Sequence, residues 1–319
     1  MNSINRYQSL IIGLAVIIGL LIGQTEMVAK YADYVIVPFL MLMLYGLFLN
    51  IPLRDLLKSF SHRKFFSANI VVNFIWTPIF AYLLGYLLLQ SHLSLWIGFV
   101  MLMVTPCTDW YLIFTGIAKG NVPLSTSVLP LNLILQIIML PVYLMIFFGE
   151  SSTVDLNILF ESIVLVLLVP FLAAQATKLL LDKLDKLELL EATLLPFFDV
   201  TQVIFLGLAI MAMFASQGEY LTQNLQVVFI LLIPLMIFFV GNFFVGRIAG
   251  NILNFNYEDT TSLNLTTLAR NSPIALAIAL TAFPDNPLIA LALVIGPLIE
   301  LPVLALVSRI LLRIKRRTL

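Results

Sequence analysis

Val104-Thr105-Pro106-Cys107-Thr108-Asp109-Trp110 decides how this chain must fold. The seven residues lie inside an apolar run that otherwise has the length of a membrane-spanning helix. Pro106 removes a backbone N–H and blocks the helix, and lipid offers nothing to satisfy the carbonyls that are freed. Asp109 costs roughly 3 kcal/mol at the bilayer centre even on the lenient insertion scale. A break and a carboxylate placed together there need protein around them and a reason to be kept.

The rest of the chain is of the same membrane kind. Of 319 residues, 61% are hydrophobic and 11% are charged, whereas soluble proteins carry about 25% charged residues. Hydrophobic runs of about 20 residues recur along the whole length, and no polar stretch is long enough to fold alone. The first run has no small-residue cleavage site and reads as a retained helix. The single cysteine excludes an internal disulfide, and His62 and His92 fall in expected loops far from Cys107, so no metal-ligand or Cys/His nucleophile spacing is present. No phosphate-binding Gly-x-x-x-x-Gly-Lys loop occurs, and nothing points to nucleic acid as a partner. No cofactor is expected; the energy for transport would come from a proton or sodium gradient or a partner subunit. The expected partners are the lipid bilayer and a small-molecule or ion substrate. A membrane enzyme is disfavoured because no nucleophile has a base beside it.

The expected fold is an all-α integral membrane protein with ten transmembrane helices. The spans fall at about 8–24, 33–51, 65–90, 93–118, 122–149, 156–181, 193–216, 226–250, 260–283 and 286–308. Two amphipathic segments, Pro52 to Lys64 and Leu181 to Leu194, read as surface-lying. With ten spans, 15 of the 17 basic residues fall on the side of the N-terminus, Lys30 falls on the other, and Arg270 lies within a span. Cytoplasmic loops retain Lys and Arg, so both termini are expected in the cytoplasm and the chain in the cytoplasmic (inner) membrane. Five spans per half, residues 1–150 and 151–319, require that the second half be inverted relative to the first. Prolines 38, 78, 106, 130 and 141 recur as 196, 234, 273, 297 and 302; that match is weak support, because membrane helices are rich in proline.

The fourth helix of each half is interrupted, at Thr105-Pro106 and within Leu268-Ala269-Arg270-Asn271-Ser272-Pro273. Interrupted helices in corresponding positions mark a transporter's binding site, because half-helix ends expose N–H and C=O groups that can hold ions or substrate. If the two breaks cross, Asp109 and Arg270 can pair; in the alternative, Asp109 caps its half-helix and Arg270 snorkels to an aqueous cavity. Thr108, Asn271 and Ser272 flank the breaks and join the candidate site. Glu300 is the sole charge between Asn286 and Arg309. It reads as an ion ligand or a proton carrier, against the alternative of a neutral structural carboxyl. Asn132 and Gln136 share a helix face, and either line the cavity or bond neighbouring helices. Cys107 reads as a small core residue or as a soft ligand for a soft metalloid.

With these residues in hand, the chain resembles the bile acid:sodium symporter superfamily, and within it the arsenical-resistance-3 class of arsenite efflux permeases. The resemblance is sharpest at Pro106-Cys107, Ala118-Lys119-Gly120-Asn121-Val122, Leu131-Asn132 to Gln136, and Gly296-Pro297-Leu298-Ile299-Glu300-Leu301-Pro302-Val303. It implies ten helices with helices 4 and 9 broken and crossing, a core of spans 3–5 and 8–10, and a panel of spans 1, 2, 6 and 7 that rocks against it. It further implies functional roles for Cys107 and Glu300. Two departures stand out: Tyr111-Leu112 and Leu129 replace polar sodium-site residues, and the sequence around Arg270 differs from both sodium-coupled members and arsenite permeases. The reading is a secondary transporter working by alternating access, with proton-coupled efflux of a small solute such as arsenite. Its rival is a sodium-coupled or uncoupled carrier of an organic anion held by Arg270 and half-helix N-termini.

Overall fold

The structure is a computed structural model that describes residues 8–50, 62–108, 110–149, 151, 155–223 and 226–318. These residues are almost entirely helical. We label the helices α1 (Gln8–Ile22), α2 (Glu26–Asn50), α3 (Arg63–Leu89), α4 (Leu93–Met103), α5 (Trp110–Ile117), α6 (Val122–Phe148), α7 (156–183), α8 (187–223), α9 (Gln226–Ile252), α10 (Tyr257–Leu268), α11 (Ser272–Ala282) and α12 (Pro287–Thr318). Seven of them, α2, α3, α6, α7, α8, α9 and α12, are long and apolar enough to cross a membrane. Helices α1, α4 and α11 are apolar but shorter. Helix α10 forms the polar first part of the expected span 260–283. Its sequence YEDTTSLNLTTL is rich in hydroxyls, yet Thr260 to Leu268 are all buried, so protein, not lipid, is its solvent.

Proline placement explains the irregular helices. A proline lacks the N–H for the carbonyl four residues back and collides with it. Three π-helical turns, Val72–Trp76, Val164–Leu168 and Leu190–Leu194, each end two residues before a proline: Pro78, Pro170 and Pro196. Widening the helix there relieves the collision. The carbonyl freed by Pro78 belongs to Phe74, and it accepts from the Tyr143 hydroxyl of α6 at 2.6 Å.

Of the two expected surface segments, the first falls mainly on residues 51–61, outside the described residues, while Arg63 and Lys64 open α3. The second is corrected. Lys119, Asp185 and Asn254 have positive φ, and Asp185 closes α7 with Lys186 N–H on Leu181 O (2.9 Å) and Asp185 N–H on Asp182 O (3.2 Å). This left-handed helix stop turns the chain within Leu184 to Lys186, and Leu187 onward is already the helix that becomes α8. Similar stops at Lys119 and Asn254 end α5 and α9, with Gly120 N–H on Thr115 O and Phe255 N–H on Gly250 O.

These turns bring distant loops to one end of the molecule. Asn121 Nδ2 donates to Asp259 (2.8 Å), the Tyr257 hydroxyl to Ala118 O (2.8 Å), and Lys315 Nζ to Glu258 (2.6 Å). Ser94, in the first turn of α4, donates to Asn286 Oδ1 just before α12 (3.4 Å). Helix α8 packs along α2 and α1, and α7 along α2; α4 and α10 pack among α3, α9 and α12, while α11 packs on α12, α7 and α2.

Candidate functional site

The site is built where the two breaks touch. Helix α4 ends at Met103 and α5 resumes at Trp110; α10 ends at Leu268 and α11 resumes at Ser272. The two unwound stretches pair as an antiparallel bridge between Pro106 and Arg270. Cys107 N–H donates to Ala269 O (3.0 Å), and Asn271 N–H donates to Thr105 O (2.7 Å). Backbone groups that lipid could not satisfy thus satisfy one another.

The local sequence completes the pairing. The Thr105 hydroxyl lies on Met101 O and Leu102 O, both at 3.0 Å, closing the end of α4, and 3.3 Å from Asn271 O. Asn271 caps α11, its Oδ1 accepting from Ile274 N–H, with Pro273 in the first turn where no N–H is needed. Asn271 Nδ2 also donates to the Thr108 hydroxyl at 3.3 Å. Ser272 donates to Leu293 O of α12.

Arg270 is 2% exposed, and its guanidinium is held by oxygens from three helices. Nη1 donates to Met103 O (2.8 Å), Nε to Leu268 O (3.2 Å), and Nη2 to Asn73 Oδ1 (3.3 Å) and to Thr267 O. Its Cζ lies 5.2 Å from the centre of the Phe238 ring. Glu300 comes from the other side: its Oε1 accepts the Arg270 backbone N–H at 2.9 Å, and the residue is 3% exposed.

Two small cavities adjoin this crossing. One, of about 40 Å³, is lined by Cys107, Thr108, Arg270 and Asn271 on one side and by Met43 of α2 and Gln202 of α8 on the other. The second, of about 20 Å³, lies beside Ser272, Pro297 and Glu300. Trp110, Arg270 and Pro273 line both and form the wall between them. Each has room for about one or two water-sized groups. The half-helix starts at Trp110 and Ser272 bring positive dipole ends to this wall.

Cys107, Thr108, Arg270, Asn271, Ser272 and Glu300 therefore share one neighbourhood. Asp109 lies outside the described residues, and so does its pairing with Arg270. Asn132 and Gln136 are fully buried but line neither cavity. Asn132 ends a chain of amides: Arg270 donates to Asn73, Asn73 Nδ2 to Asn69 Oδ1 (3.0 Å), and Asn69 Nδ2 to Asn132 Oδ1 (2.6 Å). Sequence reasoning missed Asn69, although its spacing of four from Asn73 in an apolar run is the same signal that picked out Asn132 and Gln136. Gln202 of α8 was likewise not singled out as a site residue. It lines the cavity because α8 begins at Leu187, which places Gln202 about four turns into the helix. Among the described residues, no group of three or more His, Cys, Asp or Glu could hold a metal ion.

Several long apolar helices, two broken helices hydrogen-bonded at their breaks and buried polar residues around them define a multi-pass membrane transporter. Residues 37–224, more than half of the chain, match the model of the Sodium Bile acid symporter family, and the chain belongs to that family. Arg270 and Glu300 lie beyond the matched stretch. The chain is 26% identical to the arsenical-resistance protein Acr3 of Corynebacterium glutamicum over 234 residues, 69% of this chain and 62% of that protein. It is 24% identical to an uncharacterized transporter, slr0944, of Synechocystis over 89% of this chain and 82% of that one. Acr3 of Alkaliphilus metalliredigens is 24% identical over 87% of this chain and 84% of its own length.

Proposed function

We propose that this chain is a secondary transporter of the cytoplasmic membrane that exports arsenite, or a solute of like size, in exchange for protons. The observation that carries the reading is the pairing of the two helix breaks with Cys107 and Glu300 on adjoining cavities. A buried thiol on a small cavity suits a soft, thiol-seeking metalloid, and two relatives are named for arsenical resistance. The cavity of about 40 Å³ suits a small inorganic solute and is far too small for a bulky organic anion in this conformation. Both members of the solute–proton pair would act at the crossing. A Glu300 carboxylate is a charge-assisted acceptor for the Arg270 N–H. Protonation would weaken that bond, so proton uptake would alter the span-9 break that borders the solute cavity.

Alternating access would follow from the cavity's position. Its walls come from α2 and α8 on one side and from the crossing on the other. Relative movement of α1, α2, α7 and α8 against the remaining helices would open it to either face. This grouping, ten spans in two inverted halves with the broken helices counted as one span each, and cytoplasmic termini form one consistent arrangement. The turns at Lys119 and Asn254 and the C-terminal Lys315 gather at one end, as that arrangement requires.

Arsenite tolerance of a sensitive cell tests the reading, comparing wild type, Cys107→Ala and empty vector. Wild type should raise tolerance and Cys107→Ala should lose most of the gain at equal membrane expression. Equal tolerance in all three would eliminate arsenite, and sodium-dependent uptake of a labelled organic anion into vesicles would establish the rival carrier.

A further inference from the structure

The acceptors around Arg270 are those that bind a hard metal cation. Met103 O sits at the end of α4, and Thr267 O and Leu268 O sit in the last turn of α10. These are the negative ends of two half-helices, where carbonyls are left over by the helix and the macrodipole favours a positive charge. Asn73 adds an amide oxygen, presented by the π-helical turn Val72–Trp76, and the Phe238 face adds a cation–π contact. Half-helix carbonyl ends that converge in this way coordinate sodium in other broken-helix carriers. Here the convergence is occupied from within the chain: the guanidinium makes four donor contacts to these oxygens and is almost wholly buried.

We propose that the Arg270 guanidinium is a resident cation, which fills an oxygen cage at the helix crossing and makes the carrier independent of sodium. The cage holds its charge permanently, because arginine does not release its proton under cellular conditions. Removing the side chain should leave a vacant site that accepts a small free cation. The inference rests on the chain being a broken-helix carrier, but not on arsenite being its cargo.

The test is thermal unfolding of the purified full-length protein followed by tryptophan fluorescence, with Trp110 beside Arg270 in the cavity wall. Midpoints are compared in choline chloride and sodium chloride at equal ionic strength, then with low millimolar methylguanidinium added. Wild type should show the same midpoint in sodium and choline and no response to methylguanidinium. Arg270→Ala should unfold at a lower temperature in choline and recover part of the loss, saturably, with methylguanidinium or sodium. Arg270→Lys, a tethered cation without the planar fork, should fall between the two and respond to neither. A saturable rise of the wild-type midpoint in sodium would overturn the proposal, as binding to the folded state raises stability by mass action. So would an Arg270→Ala protein that ignores every cation. If Arg270→Ala does not accumulate, the wild-type sodium titration and the Arg270→Lys comparison still decide. A wild type that confers no arsenite tolerance while its midpoint stays the same in sodium and choline would count against the cargo alone.

Discussion

Replacing Glu300 separates its structural bond from its proton. The carboxylate accepts one buried N–H at 2.9 Å and is 3% exposed. Glu300→Gln keeps an oxygen in the same place and gives up charge assistance in that bond. The bond then falls from about 1.5–3 to about 0.5–1.5 kcal/mol, a loss near 1 kcal/mol. Glu300→Ala removes the acceptor and strands the Arg270 N–H, which costs about 1–3 kcal/mol, and the lost methylenes and residual cavity add about another 1 kcal/mol. The thermal midpoint in detergent should therefore fall slightly for Glu300→Gln and by several degrees more for Glu300→Ala. Transport should rank differently: in reconstituted vesicles with an imposed pH gradient, both variants should lose gradient-driven movement of arsenite. The reasoning fails if Glu300→Gln is destabilised as much as Glu300→Ala, or if it retains the wild-type response to the pH gradient.

Other perturbations follow from the same contacts. Asn69→Ala and Asn73→Ala each break a buried amide chain and should cost about 1–3 kcal/mol; because they share a bond, the double variant should cost less than the sum of the two, as a thermal-unfolding double-mutant cycle would reveal. Gly98 lets α4 approach α12 closely, since a Cβ there would lie 2.6 Å from Ile289 O and 2.8 Å from Ala292 Cβ. Gly98→Ala should destabilise by about 1–3 kcal/mol in the same assay, whereas Gly13→Ala, with open space around it, should be close to neutral. At the loop end of the molecule, the hydrogen bond from Lys315 holds the Glu258 carboxyl below its ordinary pKa. A depressed carboxyl stabilises above its unfolded value of about 4.3 and loses that contribution as pH falls through the folded value. Hydrogen-exchange protection factors at the end of α12, corrected for the intrinsic rate at each pH, should therefore fall below about pH 4 in wild type and change less with pH in Glu258→Gln. The pair is partly exposed and screened, so the effect on global stability should stay within about 1 kcal/mol.

Much of this protein was legible before any coordinates. Hydrophobic length alone makes it a membrane protein, because a bilayer sets the length of an apolar helix and admits few charges. The prolines at 106 and 273, each beside polar residues, mark both interruptions, since the loss of an N–H is a property of the residue itself. Arg270 and Glu300 stood out by being costly where they are, and Cys107 by its place beside a break and by the family resemblance. Apolar length put most of α10 in the expected span 260–283, but it could not show that its hydroxyls are tolerable because other helices enclose it. Nor could it place Gln202, whose depth depends on where the preceding turn falls.

Partnership is what the tertiary structure decided. The oxygens on Arg270 come from residues as far as 197 positions away, and the carboxylate on its N–H from 30 positions away. Hydropathy and helical period are local quantities that report what a residue costs in lipid. Which group meets that cost is a matter of how two broken helices cross, and at this crossing Thr105 meets Asn271, Cys107 meets Ala269, and the arginine closes both helix ends at once.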